Sequence, residues 1–338
     1  MKITRQIQWA FWVLLFLAVT LLVMAFSLSR GELHIPLFKI PSILIHGQGS
    51  MEQVILQKIR MPRIFVGLAV GGALSLAGVI LQGIYRNPLV EPYTLGISGG
   101  AALGVAVVIV SGLYATMGAL SLPAAGFAGS LITVVLVYVL SSQHRNLNTR
   151  NMVLIGVMIS FIASSAMMFL MATTTNENLH SIVFWVMGSL DESNPALVVS
   201  SVIISVVGLM LSYLFIHPLN ALRLGEDKAR HLGINTDISI KILFILASLL
   251  TGMCVSVGGV IGFVGLIIPQ AIRFLVGSDF RILLITSFLA GGSFLILCDT
   301  VARTIIAPNE LPIGVITGII GGLSFIIILS QNRKTRIS

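Results

Sequence analysis

The segment PYTLGISGGAALGVAVVIVSGLYATMGALSLPAAGFAGSLITVVLVYVLSSQH, residues 92–144, contains no Asp, Glu, Lys or Arg. A helix rises 1.5 Å per residue, so about 20 apolar residues cross the hydrocarbon core of a bilayer. The segment is therefore too long for one crossing and must turn in its middle, where Ser111–Gly118 supplies small and polar residues. We predict two membrane helices here, near 93–111 and 118–140.

The whole chain has the composition of a membrane protein. Of its 338 residues, 56% are hydrophobic and only 9% are charged, whereas soluble domains carry about 25% charged residues. The net charge of +8 comes without a basic run interleaved with aromatics, so nucleic-acid binding is not predicted. Six further segments are each long enough for one crossing: 9–29, 64–84, 152–173, 196–216, 282–303 and 312–330.

The apolar stretch 242–272 fits either one long tilted helix or two helices with a turn at Val257–Gly259. The distribution of Lys and Arg decides between the two, because cytoplasmic loops of membrane proteins are enriched in these residues. With two helices there, both termini lie in the cytoplasm, and fourteen basic residues lie inside against six outside. We therefore predict an all-α, polytopic membrane protein of about ten helices.

Small residues in two spans predict close helix packing. Glycines recur about four residues apart at Gly67, Gly71, Gly72 and Gly78, and again at Gly96, Gly99, Gly100 and Gly104. Such spacing lets helix backbones approach closely inside a membrane. It indicates a packed bundle and carries no information about function.

The polar segment Leu222–Gly233 between two spans has the character of a short amphipathic helix. Its apolar Ala229 and Leu232 are expected to share one face, with charged residues around them. Such a helix can lie on the lipid surface or dock into a groove on a partner protein. Composition favours neither alternative.

Short motifs occur in a fixed order over residues 55–330. They are Arg60-Met-Pro-Arg63, Gly78-Val-Ile-Leu-Gln82, Arg86-Asn-Pro-Leu89, Leu95-Gly-Ile-Ser98-Gly-Gly-Ala101, Gly225-Glu-Asp-Lys-Ala-Arg-His-Leu-Gly233, Gly262-Phe-Val-Gly-Leu-Ile-Ile-Pro269, Arg273, Asp299-Thr-Val-Ala-Arg303 and Glu310-Leu-Pro-Ile-Gly314. In this order the chain resembles the FecCD-type permeases, the membrane subunits of ABC importers for iron-siderophores, haem and cobalamin. One departure is Gln270, where many members have His.

The resemblance implies a fold and a set of partners. The fold is that of the cobalamin-importer permeases: ten helices in a single transmembrane domain, residues 1–338, with a coupling segment at 221–235. The implied partners are a dimer of ATPase subunits, an extracytoplasmic substrate-binding protein, a second permease subunit and membrane lipid. A heterodimer of permeases is favoured over a homodimer. The implied activity is transport of an iron-siderophore or related chelate across the bacterial cytoplasmic membrane by ATP-driven alternating access.

The resemblance also implies three groups of site residues. For the coupling segment, the resemblance favours docking on a partner over contact with lipid. The segment is expected to meet the ATPase through Leu222, Gly225, Glu226, Ala229, Leu232 and Gly233. Docking of the binding protein is assigned to Arg60, Arg63 and Arg303, with membrane anchoring or local pairing to Asp299 as the alternative. The transport path and its gate are assigned to Asn148, Thr149, Ser160, Ser164 and Met168, with ordinary packing as the alternative.

Other chemistry is not expected on this chain. It has no G-x-x-x-x-G-K-[ST] phosphate loop, no HExxH and no cluster of metal ligands. We therefore predict no catalytic residue, no metal and no cofactor, with ATP and Mg²⁺ held by the separate ATPase. The rival interpretation is a cation-coupled secondary transporter, which would need ionisable groups near the bilayer midplane. Only Asp299 comes close to that position.

Overall fold

The computed structural model describes residues 2–31, 33–47, 49–118, 120–142 and 149–334. Within these residues the regular structure is entirely helical. The first half contains α1 (Lys2–Ser29), α2 (Ile40–His46), α3 (Met51–Val54), α4 (Met61–Tyr85), α5 (Ile97–Val110), α6 (Leu113–Met117), α7 (Ser121–Ser141) and α8 (Thr149–Thr173). The second half contains α9 (Asn176–Met187), α10 (Pro195–Leu214), α11 (Ile216–Leu222), α12 (Glu226–His231), α13 (Thr236–Gly258), α14 (Val264–Val276), α15 (Phe280–Thr304) and α16 (Ile313–Lys334). Short 3₁₀ turns lie at Leu37–Lys39 and Pro92–Leu95, and a π turn at Ile55–Arg60 precedes α4.

Ten of these helices account for the predicted spans. Seven are long and apolar enough to cross a membrane, and three shorter apolar helices lie at Ile97–Val110, Val264–Val276 and Ile313–Ile327. They follow one another in the predicted order. The expectation of an all-α bundle of about ten membrane helices is confirmed.

Helix α4 forms the centre of the bundle. It packs against α15, α13, α10 and α14, and 89% of its most apolar stretch is buried, against 11% for α1 and for α8. A second group consists of α5, α7 and α8, and α13 contacts both groups. The outer helices therefore present long apolar faces, as expected where lipid or another membrane subunit covers them.

Glycine allows the closest helix crossings, as the spacing predicted. A Cβ on Gly78 would stand 1.9 Å from the carbonyl oxygen of Gly265, and a Cβ on Gly71 would stand 2.3 Å from that of Gly291. Real Cβ atoms do not approach other atoms so closely. At these points α4 touches α14 and α15 backbone to backbone.

The stretch 242–272 contains two helices, which confirms the interpretation that the charge distribution favoured. Helix α13 ends at Gly258 and α14 begins only at Val264. The turn begins at Gly259, with φ of +72°, and the next residues have no helical or sheet hydrogen bonds of their own. The eighth of the ten spans, residues 259–276, is here named span 8. It is part irregular backbone and part helix, a combination that a membrane tolerates only where protein satisfies the exposed backbone groups.

Candidate functional sites at the two ends of the bundle

The three arginines predicted for docking come together at one end of the bundle, here named the arginine end. Arg60 closes the π turn before α4, Arg63 lies in the first turn of α4, and Arg303 lies in the last turn of α15. Arg60 and Arg303 line one open cavity of about 410 Å³, together with Glu310.

Arg60 connects the start of α4 to the end of α1. The residue is only 2% exposed. Its Nη1 donates to the carbonyl oxygen of Leu28 at 2.6 Å and its Nη2 to that of Leu33. A Cβ at Gly31 would stand 2.7 Å from the same guanidinium group, so the loop after α1 closes over Arg60 because a glycine stands there.

Arg63 holds two loops at the same end. Its Nη2 lies 3.1 Å from Asp191 Oδ1 and 2.8 Å from Glu310 Oε2. The arginine side chain is 5% exposed, whereas the two carboxylates are 63% and 48% exposed. One buried cation therefore fixes the loop before α10 and the loop before α16, and the charges left at the surface are acidic.

Arg303 is paired along its own helix. Its Nε lies 2.8 Å from Asp299 Oδ2, and both side chains are nearly buried, at 6% and 7% exposed. Ser27 of α1 accepts a further hydrogen bond from Arg303 Nη2 at 3.1 Å. The local pairing named above as an alternative is present. A docking role for the three arginines stays a prediction, and it requires a partner that reaches into the cavity.

The coupling segment lies at the opposite end, here named the segment end. It runs from the end of α11 through α12 to Asn235, which caps α13. Gly225 and Gly233 flank α12 with φ of +111° and +81°, conformations that favour glycine. Glu226 begins α12, and basic residues end it, an order that suits the helix dipole.

The faces of the coupling segment differ from the expectation. Ala229 is completely buried, whereas Leu232 is 63% exposed, so the prediction that they share one face is wrong. Leu222 is also buried, at 1% exposed, and Leu224 is 58% exposed. The reason is that Leu222 and Ala229 belong to the main apolar core. They anchor the segment, and Leu224 and Leu232 are its exposed apolar side chains.

The loop between α4 and α5 supports the irregular part of span 8, a role that the sequence alone did not reveal. Glu91 Oε1 accepts from the backbone N–H of Phe263 at 2.5 Å, and Tyr93 Oη accepts from that of Ile261 at 3.2 Å. Gln82 Nε2 donates to the carbonyl oxygen of Gly265 at 3.1 Å. Side chains of this loop and of α4 thus satisfy backbone groups that no helix satisfies. The available signal was Glu91, an acid beside an apolar span.

Gln270, which stands where many family members have His, contacts the loop between α4 and α5. Its Nε2 donates to the carbonyl oxygen of Pro88 at 2.5 Å, which ties α14 to the same loop. A histidine ring N–H is also a hydrogen-bond donor.

The Glu91 carboxyl gives a pH-dependent prediction. Burial raises its pKa above the ordinary value of 4.5, and the hydrogen bond from Phe263 opposes this shift. The native state therefore binds the proton more tightly, and its free energy of unfolding falls as pH rises above about 4.5. We expect Glu91→Gln, which keeps an acceptor oxygen, to melt a few degrees higher than the native chain at pH 7 and at the same temperature near pH 4. Glu52→Gln, at an exposed position, is the control; a lower melting temperature for Glu91→Gln at pH 7 would contradict the prediction.

The predicted path helix is α8. Met168 is 64% exposed, and Ser160 and Ser164 are half-buried. The Ser160 backbone lies 3.4 Å from the Cβ position of Gly99 on α5, so this part of α8 lies at the edge of a helix contact. Of the predicted gate, Asn148 lies outside the described residues, and Thr149 is described only as the first residue of α8. The path and gate assignments stay predictions.

The model of the FecCD transport family matches residues 18–331. The chain belongs to this family. This FecCD permease is 38% identical over 330 residues to the uncharacterized ABC transporter permease protein YvrB of Bacillus subtilis, covering 94% of this chain and 92% of YvrB. It is 38% identical to the hemin transport system permease protein HmuU of Yersinia pestis, covering 82% of this chain and 84% of HmuU.

Structural comparison gives the same family. The FecCD permease matches an inward-facing metal-chelate-type ABC transporter with a TM-score of 0.82 and 30% identity, over 95% of this chain and 99% of that one. PsaBC of Streptococcus pneumoniae, at 15% identity and a TM-score of 0.56, shares the fold alone. The chain is thus a multi-pass membrane subunit of an ABC importer and not an enzyme. The alternative of a cation-coupled secondary transporter is set aside, because the matched family and its named relatives are ABC permeases.

Proposed function

We propose that this FecCD permease moves an iron-siderophore or a related metal chelate across the bacterial cytoplasmic membrane by ATP-driven alternating access. The observation that carries the proposal is the separation of two different surfaces across a ten-helix bundle: a cavity lined by arginines at one end, and a coupling segment with exposed leucines at the other. The segment end, where α1 begins and α16 ends, faces the cytoplasm, which agrees with the distribution of basic residues. The arginine end faces outwards and receives the binding protein.

The cargo is proposed from the relatives. Several are named for iron-containing cargo, including hemin, a siderophore and Fe(3+)-citrate, and others are named for vitamin B12. The half-buried serines and exposed methionines of α8 support a path for a bulky chelate, because thioether side chains adapt to irregular shapes. The chelate enters with its metal already coordinated. The permease therefore acts on the whole complex, and ATP is hydrolysed on the partner.

Uptake of radioactive iron tests the proposal. The permease is co-expressed with the ATPase and the binding protein encoded by neighbouring genes. The cells are given a labelled ferric trihydroxamate chelate or, as the alternative cargo, labelled cobalamin. We expect iron uptake with the native ATPase and none when the Walker A lysine of the ATPase is replaced, because that variant cannot hydrolyse ATP. Cobalamin uptake without iron uptake would overturn the iron-chelate proposal while leaving the importer in place.

The coupling segment gives a second prediction. Leu232→Asp places a charge on an exposed apolar contact, and we expect it to weaken co-purification of the ATPase at least tenfold without lowering the yield of permease. Leu37→Asp is the matched control. Leu37 is 51% exposed and lies in the loop between α1 and α4, outside the coupling segment. Equal recovery of the ATPase with both variants would show that Leu232 is not part of the docking surface.

A further inference from the structure

Three arginines from three separate elements converge beside the coupling segment. Arg86 follows α4, Arg223 follows α11 and Arg273 lies in the last turn of α14. They line one pocket of about 210 Å³, whose remaining walls include Gln82, Ser278 and Phe280. We name this the three-arginine pocket.

Within the described part of the chain, the cations of this pocket have no ion-pair partner. Among the residues that the structure describes, no carboxylate oxygen lies within 4.0 Å of any of the three guanidinium groups. Arg273 donates to Gln82 Oε1 and Arg223 to the carbonyl oxygen of Ser278, each at 2.6 Å. A guanidinium has five N–H donors, so most donors around the pocket remain available. Asp279, which lies between the pocket residues Ser278 and Phe280, is paired with Arg5.

The pocket is part of the surface that carries the coupling segment. Arg223 belongs to that segment, and Arg86 Nη1 lies 3.3 Å from the point where a Cβ on Gly225 would stand. Arg86 is exposed and Arg273 is half-buried, while the floor residues Gln82 and Phe280 are only 3% and 2% exposed. An anion entering the pocket would therefore contact the coupling segment and the bundle at the same time.

We propose that the three-arginine pocket receives a carboxylate side chain of the ATPase that docks on the coupling segment. The inference rests on the proposed function. An isolated group of like charges at a half-buried site favours an anionic occupant, and arginine forks bind carboxylates in a bidentate manner. A protein carboxylate is favoured over a phospholipid headgroup because Arg223 belongs to the coupling segment and Arg86 lies against Gly225 of the same segment, so the pocket is part of the surface proposed to contact the ATPase. The bound carboxylate links Arg223 to Arg86 and Arg273, so that force on the ATPase reaches α4 and α14 as well as α12.

Quantitative binding of the ATPase to the detergent-purified permease tests the proposal at 50 and 300 mM salt. Arg86→Gln and Arg223→Gln are expected to weaken binding about tenfold each at low salt and to reduce the loss of affinity at high salt. Both side chains are exposed, so folding is retained. Arg281→Gln, at an exposed position outside the pocket, is the control and is expected to bind as the native chain does.

Three results would contradict either the proposed function or the inference, and the experiment distinguishes them. If the native chain binds no ATPase, the proposed function fails. If the native chain and both pocket variants bind the ATPase equally, the function stands and the inference is overturned. If the pocket variants keep the ATPase but lose phosphatidylglycerol by native mass spectrometry, the occupant is a lipid headgroup and the inference is again overturned. Compensation of Arg86→Glu by an acid-to-lysine change on the ATPase would identify the carboxylate.

Discussion

Replacing Gly78 by alanine is expected to remove nearly all correctly folded permease from the membrane. The new Cβ would stand 1.9 Å from the carbonyl oxygen of Gly265 and 2.9 Å from its Cα. Both partners are backbone atoms of packed helices, so neither can rotate away, and the helices must separate. Overpacking of a core costs about 1–3 kcal/mol where side chains can adjust, and we expect more than this here. The measurement is the monodisperse fraction and melting temperature of a fluorescent fusion in mild detergent.

Gly318→Ala provides the control for the same change of side chain. Gly318 lies in α16, and no atom stands within 4 Å of its Cβ position. Alanine is also the better helix former, by about 1 kcal/mol. We expect this variant to match or exceed the native melting temperature. If Gly78→Ala behaves as Gly318→Ala does, the contact between α4 and α14 is not formed.

Replacing Asp299 by asparagine is expected to destabilise the permease by about 3–5 kcal/mol, because it leaves the buried Arg303 guanidinium without its counter-ion. The two side chains are 7% and 6% exposed and 2.8 Å apart. The expected result is a large fall in melting temperature, measured in detergent at low and high salt. High salt should not restore it, since screening by salt is weak for side chains as buried as these two.

A double variant separates the structural and docking roles of Arg303. Asp299→Leu with Arg303→Met removes both charges and keeps approximate volume, a replacement that is often neutral for stability. We expect it to melt close to the native temperature. If Arg303 docks the binding protein, this folded variant loses binding-protein affinity. If it melts as low as Asp299→Asn, the loss of the buried cation's partner is not the cause of instability.

The number and order of the spans could be predicted because bilayer thickness and charge distribution constrain them directly. The segment 92–144 had to turn once, and the C-terminal basic residues favoured two helices within 242–272. The burial of Arg60, Arg63 and Arg303 could not be predicted in this way. The partners of Arg60 and Arg63, which are Leu33, Asp191 and Glu310, are distant in sequence, and nothing local indicates the pairing. Only the pairing of Arg303 with Asp299, four residues away on α15, was visible in the sequence.

The coupling segment shows a second limit of sequence patterns. Helical periodicity describes one helix, and α12 has only six residues, too few to define a face. Whether Ala229 or Leu232 turns inwards depends on where α11 and α13 position the segment. The support of span 8 by Glu91 and Tyr93 is likewise tertiary, because an irregular span is visible only once its hydrogen-bond donors have been placed.

The glycine crossings have a mechanical consequence. Gly71 and Gly78 bring α4 into backbone contact with α15 and α14, and on the other side Gly129 of α7 would place a Cβ 2.2 Å from the carbonyl oxygen of Gly100 on α5. At the Gly78 crossing, α4 and α14 cannot slide past each other by a turn, since Leu74 and Gln82, four residues on either side of Gly78, carry side chains that would collide with α14. We expect the helices packed around α4 to move as one rigid body and the group of α5, α7 and α8 as another. Helix α13 contacts both groups and is expected to lie at the axis of their relative rotation.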